Sequence, residues 1–181
     1  MEKVAITLFL LVSFSTFAQK YYTKTGNTQF KASVRAFEPV EATNKSTTAI
    51  ININSGEIAS LLFVKAFNFR VALMQEHFNE NYMDSGTFPK ATFKGLISDF
   101  DFSEISSTEK KLLLKGILTV RGVEKKIETL ATFSKNEDKL LMEASFGVQP
   151  EDFNIKIPKI VSSKIAGTIN ISLAYEFIEK K

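Results

Sequence analysis

Alternation of apolar and polar side chains near the C-terminus is the sequence feature that most constrains this fold. Over residues 165–177 the even-numbered positions are small or polar. The odd-numbered positions are apolar or glycine: Ile165, Gly167, Ile169, Ile171, Leu173, Tyr175 and Phe177. A period of two places each set on its own face of a β-strand. Because one face is apolar and the other solvated, the pattern predicts a strand of an antiparallel sheet.

The same period of two recurs through most of the chain. It predicts further strands at 28–35, 47–54, 56–65, 91–102, 112–120, 127–133 and 140–148. Turn-forming residues separate several of these strands, as at Asn54-Ser55-Gly56, Arg121-Gly122 and a polar tip at 135–138. Seven or eight short strands at this spacing predict an all-β fold, either a barrel or a sandwich.

One stretch, residues 66–90, departs from the strand pattern. Leu73, Met74, Phe78 and Tyr82 recur there at helical spacing, with polar residues between them. The spacing predicts a short helix over 71–83, followed by a loop that ends near Pro89. We expect this helical insert to lie over one mouth or one side of the barrel.

The first 18 residues have the composition of a signal peptide. Lys3 precedes an almost wholly apolar stretch at 4–12, and Thr16-Phe17-Ala18 offers small residues to a signal peptidase. We therefore expect cleavage after Ala18, which leaves one domain at 19–181 and an exported protein, periplasmic or secreted. The apolar stretch is short for a membrane span, so we expect no integral membrane segment. An uncleaved anchor is the alternative.

Residues that could carry chemistry are sparse. The chain contains one histidine, His77, and no cysteine, which excludes two-histidine metal sites, thiolate chemistry and disulfides. Asp99, Asp101 and Glu104 lie close together but lack the spacing of an EF-hand loop. The net charge of +3 comes from dispersed lysines, whereas nucleic-acid binding needs clustered basic residues. We therefore predict a protein that is not an enzyme, with no catalytic residue, metal site, cofactor or nucleic-acid partner.

The predicted interior of the barrel admits two interpretations. Five positions on apolar faces are small: Gly95, Gly116, Ala131, Ala144 and Gly167. Small residues leave room for a ligand, but glycines also let a sheet coil as a barrel requires. An eight-stranded barrel is wide enough for one small ligand and can equally be filled by side chains. The 17 phenylalanines, without any tryptophan, add apolar surface in either case.

Two motifs resemble those of the YceI-like family of bacterial secreted proteins. The polar-aromatic segment at 77–84 is followed at 88–93 by Phe-Pro-Lys-Ala-Thr-Phe, which is similar to the family's Phe-Pro-x-Ala-x-Phe step. Residues 116–125 then resemble its Gly-x-Leu-Thr-x-x-Gly-Val-x-Lys hairpin, in the same order. The chain departs from the family at 74–78, where Met-Gln-Glu-His-Phe stands in place of Arg-Asp-x-His-Leu and only His77 is shared.

The resemblance implies a lipocalin-like antiparallel barrel of about eight strands with a short helical insert. It also implies an apolar interior that holds a long polyisoprenoid, a quinone-like chain or another lipid, without catalysis or metal. We predict that the lining includes Phe93, Ile97, Leu112, Leu114, Gly116, Leu118, Phe133, Met142, Phe146, Ile169, Ile171, Leu173 and Tyr175, and the pocket mouth His77, Phe78 and Tyr82. The first rival hypothesis is a structural or interaction protein with a filled barrel. The second is an enzyme that acts on a lipid carried in the barrel, which the scarcity of candidate acids and bases disfavours. For assembly we consider a homodimer.

Overall fold

The computed structural model describes residues 19–34 and 39–180. The predicted signal peptide lies outside the described residues. Within them, the chain forms nine strands: β1 (Lys20–Ser33), β2 (Glu41–Asn52), β3 (Glu57–Phe63), β4 (Asn68–Phe69), β5 (Lys90–Ile97), β6 (Lys110–Val120), β7 (Val123–Asn136), β8 (Lys139–Val148) and β9 (Ile165–Glu179).

Eight of these strands close into an antiparallel barrel, which confirms the predicted fold class. The order around the barrel is β1-β9-β8-β7-β6-β5-β3-β2, and β2 pairs with β1 to complete the circle. β4 is an extra strand of two residues that pairs with the start of β2. β1 begins before the predicted start at residue 28, because its first half pairs with the end of β9, as in Tyr21 opposite Glu179.

Tight turns set the register of the hairpins. β6 and β7 pair without a break from Lys110 opposite Phe133 to Val120 opposite Val123. The two residues between them, Arg121 and Gly122, have φ of 49° and 73°. Positive φ at both central positions is what a two-residue hairpin turn requires, and glycine adopts it without strain. The Arg-Gly pair in the sequence therefore marks this turn.

Alternating strand direction gives the barrel two different ends. The connections after β1, β3, β6 and β8 lie at one end, which we call the open end. The connections after β2, β5 and β7 lie at the other, which we call the closed end. The two α-helices of the described chain belong to connections at the open end.

The helical insert follows β4 at the open end. α1 spans Ala72–His77, and the chain continues as one turn of π-helix at Phe78–Tyr82. The helix predicted over 71–83 is therefore present but changes its winding halfway. A second helix, α2 (Lys159–Ser162), and 3-10 turns at Val64–Ala66, Phe102–Glu104 and Pro150–Phe153 were not expected from the sequence. No helix among the described residues is long and apolar enough to cross a membrane.

The closed half of the barrel is filled by side chains. Its core comprises inward-facing residues that are almost wholly buried, including Ile51, Ile97, Ile105, Leu112, Ala131, Phe133, Leu140, Ala144 and Phe177. Ala131 and Ala144 lie directly opposite each other on β7 and β8, and both are packed against this core. The filled interior considered above therefore describes the closed half, whereas the open half holds a cavity.

Candidate ligand cavity

An apolar cavity of about 350 Å³ occupies the open half of the barrel. This volume lies within the roughly 300–1,000 Å³ of small-molecule sites, toward the lower end. Its floor is the upper surface of the packed core, formed by Ile58, Leu114 and Met142. Its walls are inward-facing strand residues, and the insert and the segment around α2 complete it at the mouth. The barrel thus presents one concave, mostly hydrocarbon surface.

Four phenylalanine rings form one wall and hold the insert against the barrel. Phe30 on β1 stacks on Phe78 of the insert, with ring centroids 5.2 Å apart and an interplanar angle of 21°. The rings of Phe67 and Phe69 also contact the Phe78 ring, with centroid distances of 5.6 and 5.0 Å. The side-chain Oε1 of Gln75 accepts a hydrogen bond from the Phe69 backbone N–H at 3.2 Å. These contacts fix α1 beside the mouth, because aromatic pairs add favourable energy beyond the area they bury.

The segment at 155–165 supplies a second side of the mouth. It runs from the end of the 3-10 turn, through α2, into the start of β9. Ile155, Ile157, Val161 and Ile165 line the cavity from this segment, together with the aliphatic-stemmed Lys164. His77 and Tyr82 of the insert also line the cavity and add polar groups to its mouth. Both the histidine and the lysine are exposed to solvent.

Hydroxyl groups form the one polar patch of the cavity floor within the described part of the chain. Tyr175 is 3% exposed, and its hydroxyl lies 3.2 Å from Thr28 Oγ1, which in turn lies 2.9 Å from Thr47 Oγ1. Burial raises the pKa of Tyr175, an effect that hydrogen bonds from Thr28, Ser60 and Thr47 partly oppose. The phenol is therefore neutral at physiological pH. Thr28, Ser60 and Tyr175 line the cavity and can hydrogen-bond an uncharged group.

Most of the predicted lining residues surround this cavity. The structure places Phe93, Leu114, Leu118, Met142, Phe146, Ile169, Ile171, Leu173 and Tyr175 on its floor and walls, and His77, Phe78 and Tyr82 at its mouth. They come together because inward-facing positions of adjacent strands stack around the barrel axis. The alternation in the sequence identified the inward face of β6, β8 and β9.

Three predicted lining residues lie in the packed core instead. Ile97, Leu112 and Phe133 face inward, as expected, but they lie in the closed half with exposures of 2%, 8% and 0%. Alternation along a strand gives the face of a residue but not its depth along the barrel axis. The prediction that these side chains border a ligand is therefore corrected: they support the floor from beneath.

Gly116 also lies outside the cavity lining, for a different reason. It is directly opposite Gly95 on β5, and the ring of Phe93 covers both glycines. A Cβ atom on Gly95 would come 2.6 Å from Cε1 of Phe93. The paired glycines thus accommodate an aromatic ring rather than a ligand, which corrects the interpretation of these positions as free space. Gly167 is exposed, with no atom within 4 Å of a Cβ placed there.

Several cavity residues were not found by sequence reasoning. Phe67 precedes the two-residue strand β4 and Phe69 ends it, and residues 155–164 precede the alternation of β9, so neither stretch gave a usable pattern. Phe30 did carry a signal, because Thr28, Phe30 and Ala32 alternate within a predicted strand and all three line the cavity.

The two sequence motifs meet at the open end. The Arg121 guanidinium lies over the ring of Phe88, 5.8 Å from its centroid, and its Nη1 donates a hydrogen bond to the Asn154 carbonyl oxygen at 2.6 Å. Lys125 and Asp152 form an ion pair at 2.8 Å across the same junction. These contacts tie the β6–β7 hairpin to the connection that precedes α2, and so position the mouth.

Solved structures of similar fold come from several bacteria. A polyisoprenoid-binding domain from Saccharophagus degradans matches with a TM-score of 0.75 and 11% identity, over 90% of this chain and 99% of that one. Burkholderia cenocepacia BcnA matches with a TM-score of 0.69 and 17% identity, over 83% of this chain and 95% of that one. The Campylobacter jejuni YceI protein matches with a TM-score of 0.63 and 19% identity, over 80% and 87%. At these identities the likeness shows a shared fold.

Sequence comparison gives a family as well as a fold. No curated protein matches this chain closely. The model of the YceI-like domain matches residues 12–177, which include every barrel strand and both mouth segments almost to the end of β9. The chain therefore belongs to the YceI-like family.

Proposed function

We propose that this protein binds one long apolar chain, a polyisoprenoid, a quinone-like molecule or another lipid, in the open half of its barrel. The observation that carries the proposal is the cavity itself, whose floor, walls and mouth are built almost entirely from aliphatic and aromatic side chains. Each CH₂ group removed from water there contributes about 0.8 kcal/mol. The similarity to a domain described as polyisoprenoid-binding supports the same ligand class.

Binding without catalysis is the role that the polar groups of the cavity support. The hydroxyls of Thr28 and Tyr175 hydrogen-bond within the floor patch, and the raised pKa of Tyr175 keeps its proton in place at neutral pH. A general base needs a pKa near the working pH. The floor patch is suited to hold an uncharged oxygen of the ligand rather than to move protons.

We further propose that the protein acts outside the cytoplasm, in the periplasm or after secretion. The support is the predicted signal peptide with its site at Thr16-Phe17-Ala18. A carrier in that location would shield an apolar chain from water between membranes.

Native mass spectrometry of protein purified gently from its own host tests the binding proposal. We expect a species heavier than the polypeptide by one lipid, from which collisional activation releases an apolar molecule. The stripped protein should recover a matching mass shift when it is mixed with a polyprenol. A clean polypeptide mass, together with no uptake of polyprenol or of a quinone, would favour the rival structural role.

A further inference from the structure

Ile160 is the most exposed of the large apolar side chains described, and it lies at the mouth of the cavity. It is 87% exposed on α2. The next residue, Val161, lines the cavity. Across the mouth the insert repeats this arrangement, with Leu73 57% exposed beside Met74, which lines the cavity. Apolar surface therefore continues from the cavity onto the outer rim of the open end.

The same segment carries a local excess of positive charge. Lys156, Lys159 and Lys164 are exposed, and residues 155–165 include no acidic residue. None of these three lysines forms an ion pair within the described part of the chain, where the five ion pairs use Lys31, Lys110, Lys115, Lys125 and Lys139. The insert, by contrast, carries Glu76 and Glu80. Positive charge at the mouth is thus concentrated on the side that also presents Ile160.

The 155–165 segment divides its side chains between two environments. Ile155, Ile157 and Val161 face the cavity, whereas Lys156, Lys159 and Ile160 are exposed. An apolar side chain flanked by lysines is the composition that inserts into the boundary of an anionic bilayer, with the apolar group among the acyl chains and the ammonium groups at the headgroups.

We infer that the 155–165 segment docks the open end of the barrel on an anionic lipid bilayer. The inference rests on the binding function proposed above, because a long apolar chain that passes directly between bilayer and cavity never exposes its surface to water. Ile160 enters the boundary of the bilayer, and Lys156 and Lys159 contact anionic headgroups. The cavity mouth then faces the acyl chains from which the ligand comes.

A second copy of this chain is a less suitable occupant of the surface. A two-fold dimer brings the same patch of both copies together, so the lysines of one 155–165 segment would face those of the other. Like charges at close range oppose such an interface, whereas anionic lipid neutralises them. The segment therefore favours a membrane over self-association.

Flotation of the ligand-free protein with lipid vesicles tests this inference. The probes are vesicles of phosphatidylcholine alone and of phosphatidylcholine with a minority of phosphatidylglycerol. We expect the wild-type protein to float with the anionic vesicles. Ile160→Asp should lower the partition coefficient by about tenfold or more, because it removes the inserted side chain and adds a negative charge. The double variant Lys156→Gln/Lys159→Gln should lower the partition coefficient by about tenfold and should lose most of the preference for anionic vesicles.

Matched controls lie on the barrel wall. Leu130 is 59% exposed on β7, and Lys24 and Lys111 are exposed in the closed halves of β1 and β6. Leu130→Asp and the double variant Lys24→Gln/Lys111→Gln make the same chemical changes away from the mouth and should float like the wild type. Thermal melting of each variant verifies that it is folded. Equal losses in the mouth and wall variants, or a wild-type protein that stays with the buffer, would overturn the docking inference.

Two further readouts separate docking from ligand binding and from self-association. Polyprenol retention measured without vesicles should be unchanged in Ile160→Asp, since Ile160 does not line the cavity. If the wild-type protein retains polyprenol but does not bind vesicles, the docking inference is overturned and the proposed function stands. If it binds vesicles but retains no polyprenol, the proposed function is overturned and docking stands. A dimer in the wild type that Ile160→Asp converts to monomer would assign the surface to a second copy and overturn the inference.

Discussion

The ring of Phe93 on β5 lies over Gly116 on β6, so that a Cβ atom on Gly116 would come 2.5 Å from Cζ of Phe93. Gly95, the cross-strand partner of Gly116, lies under the same ring. Phe93 belongs to the first sequence motif and Gly116 to the second. The two motifs therefore encode one packing arrangement, in which paired glycines let an aromatic side chain reach the cavity wall.

This arrangement predicts that Gly116→Ala is destabilising. The new methyl group would collide with the Phe93 ring and with the Lys94 backbone carbonyl, which cannot rotate away. Overpacking of this kind costs about 1–3 kcal/mol. The control is Gly167→Ala, where a Cβ atom meets nothing within 4 Å, and where we expect a change within about 0.5 kcal/mol. Urea unfolding measures both, and equal midpoints would contradict the packing described for Gly116.

Neighbouring residues of β9 should respond in opposite ways to the same substitution. Ile171 lines the cavity and packs on the aromatic wall, whereas Asn170 is exposed on the outer face. Ile171→Lys places an ammonium group in an apolar cavity and should cost more than about 2 kcal/mol. Asn170→Lys should lie within about 0.5 kcal/mol of the wild type. Denaturant midpoints that do not differ between the two variants would show that the facing of β9 is misassigned.

Tyr175 should make the protein less stable at alkaline pH. Its pKa is raised by burial from the ordinary 10.0, so the unfolded chain releases this proton at lower pH than the folded chain. The contribution is fully present below about pH 10 and is lost as pH rises toward the folded value. Tyr175→Phe should therefore show a shallower loss of unfolding free energy above pH 10. The pKa of Tyr21 is also raised by burial and by Glu179. Tyr21 therefore adds the same alkaline loss of unfolding free energy in the wild type and in the variant.

Chemical denaturation over a pH series measures how the unfolding free energy of the wild type and of Tyr175→Phe depends on pH. At neutral pH the Phe variant should already be less stable by about 1 kcal/mol, because it loses the hydrogen bond with Thr28. Parallel pH profiles for the wild type and the variant would contradict the burial of this phenol.

The sequence predicted the barrel well because its signal is local. Alternation of side chains is a property of each strand by itself, and it placed Phe146 and Phe133 correctly on the inward face. It could not tell that Phe146 lines the cavity while Phe133 lies in the packed core. Depth along the barrel axis depends on register between strands, which no single strand encodes.

The mouth was the least predictable part of the site for a related reason. Gly116 appeared to leave space because the ring that fills it comes from another strand. α2 has four residues, too few for a periodic pattern, and no side chain caps its N-terminus. Its position follows from the neighbouring contacts of Arg121 with Asn154 and of Lys125 with Asp152. Such tertiary contacts determine where Val161 and Ile160 lie, and single-sequence patterns do not contain them.

Processing of the N-terminus is a separate prediction from the sequence. N-terminal sequencing of the protein recovered from its native host should begin at Gln19, because the Thr16-Phe17-Ala18 site precedes it. Fractionation should place this form outside the cytoplasm. Recovery of a membrane-bound product that begins at Met1 would instead indicate an uncleaved anchor.

Binding of a polyprenol to delipidated protein, compared between two tryptophan variants of β9, tests the central claim that the open half of the barrel holds an apolar chain. Leu173 lines the cavity, and its neighbour Ala174 is exposed on the outer face. Leu173→Trp places an indole in the cavity, so it should lower affinity by about tenfold or more while the ligand-free protein melts near the wild-type temperature. Ala174→Trp should bind like the wild type. A wild-type protein that takes up no polyprenol, or equal affinity in the two variants, would contradict the claim.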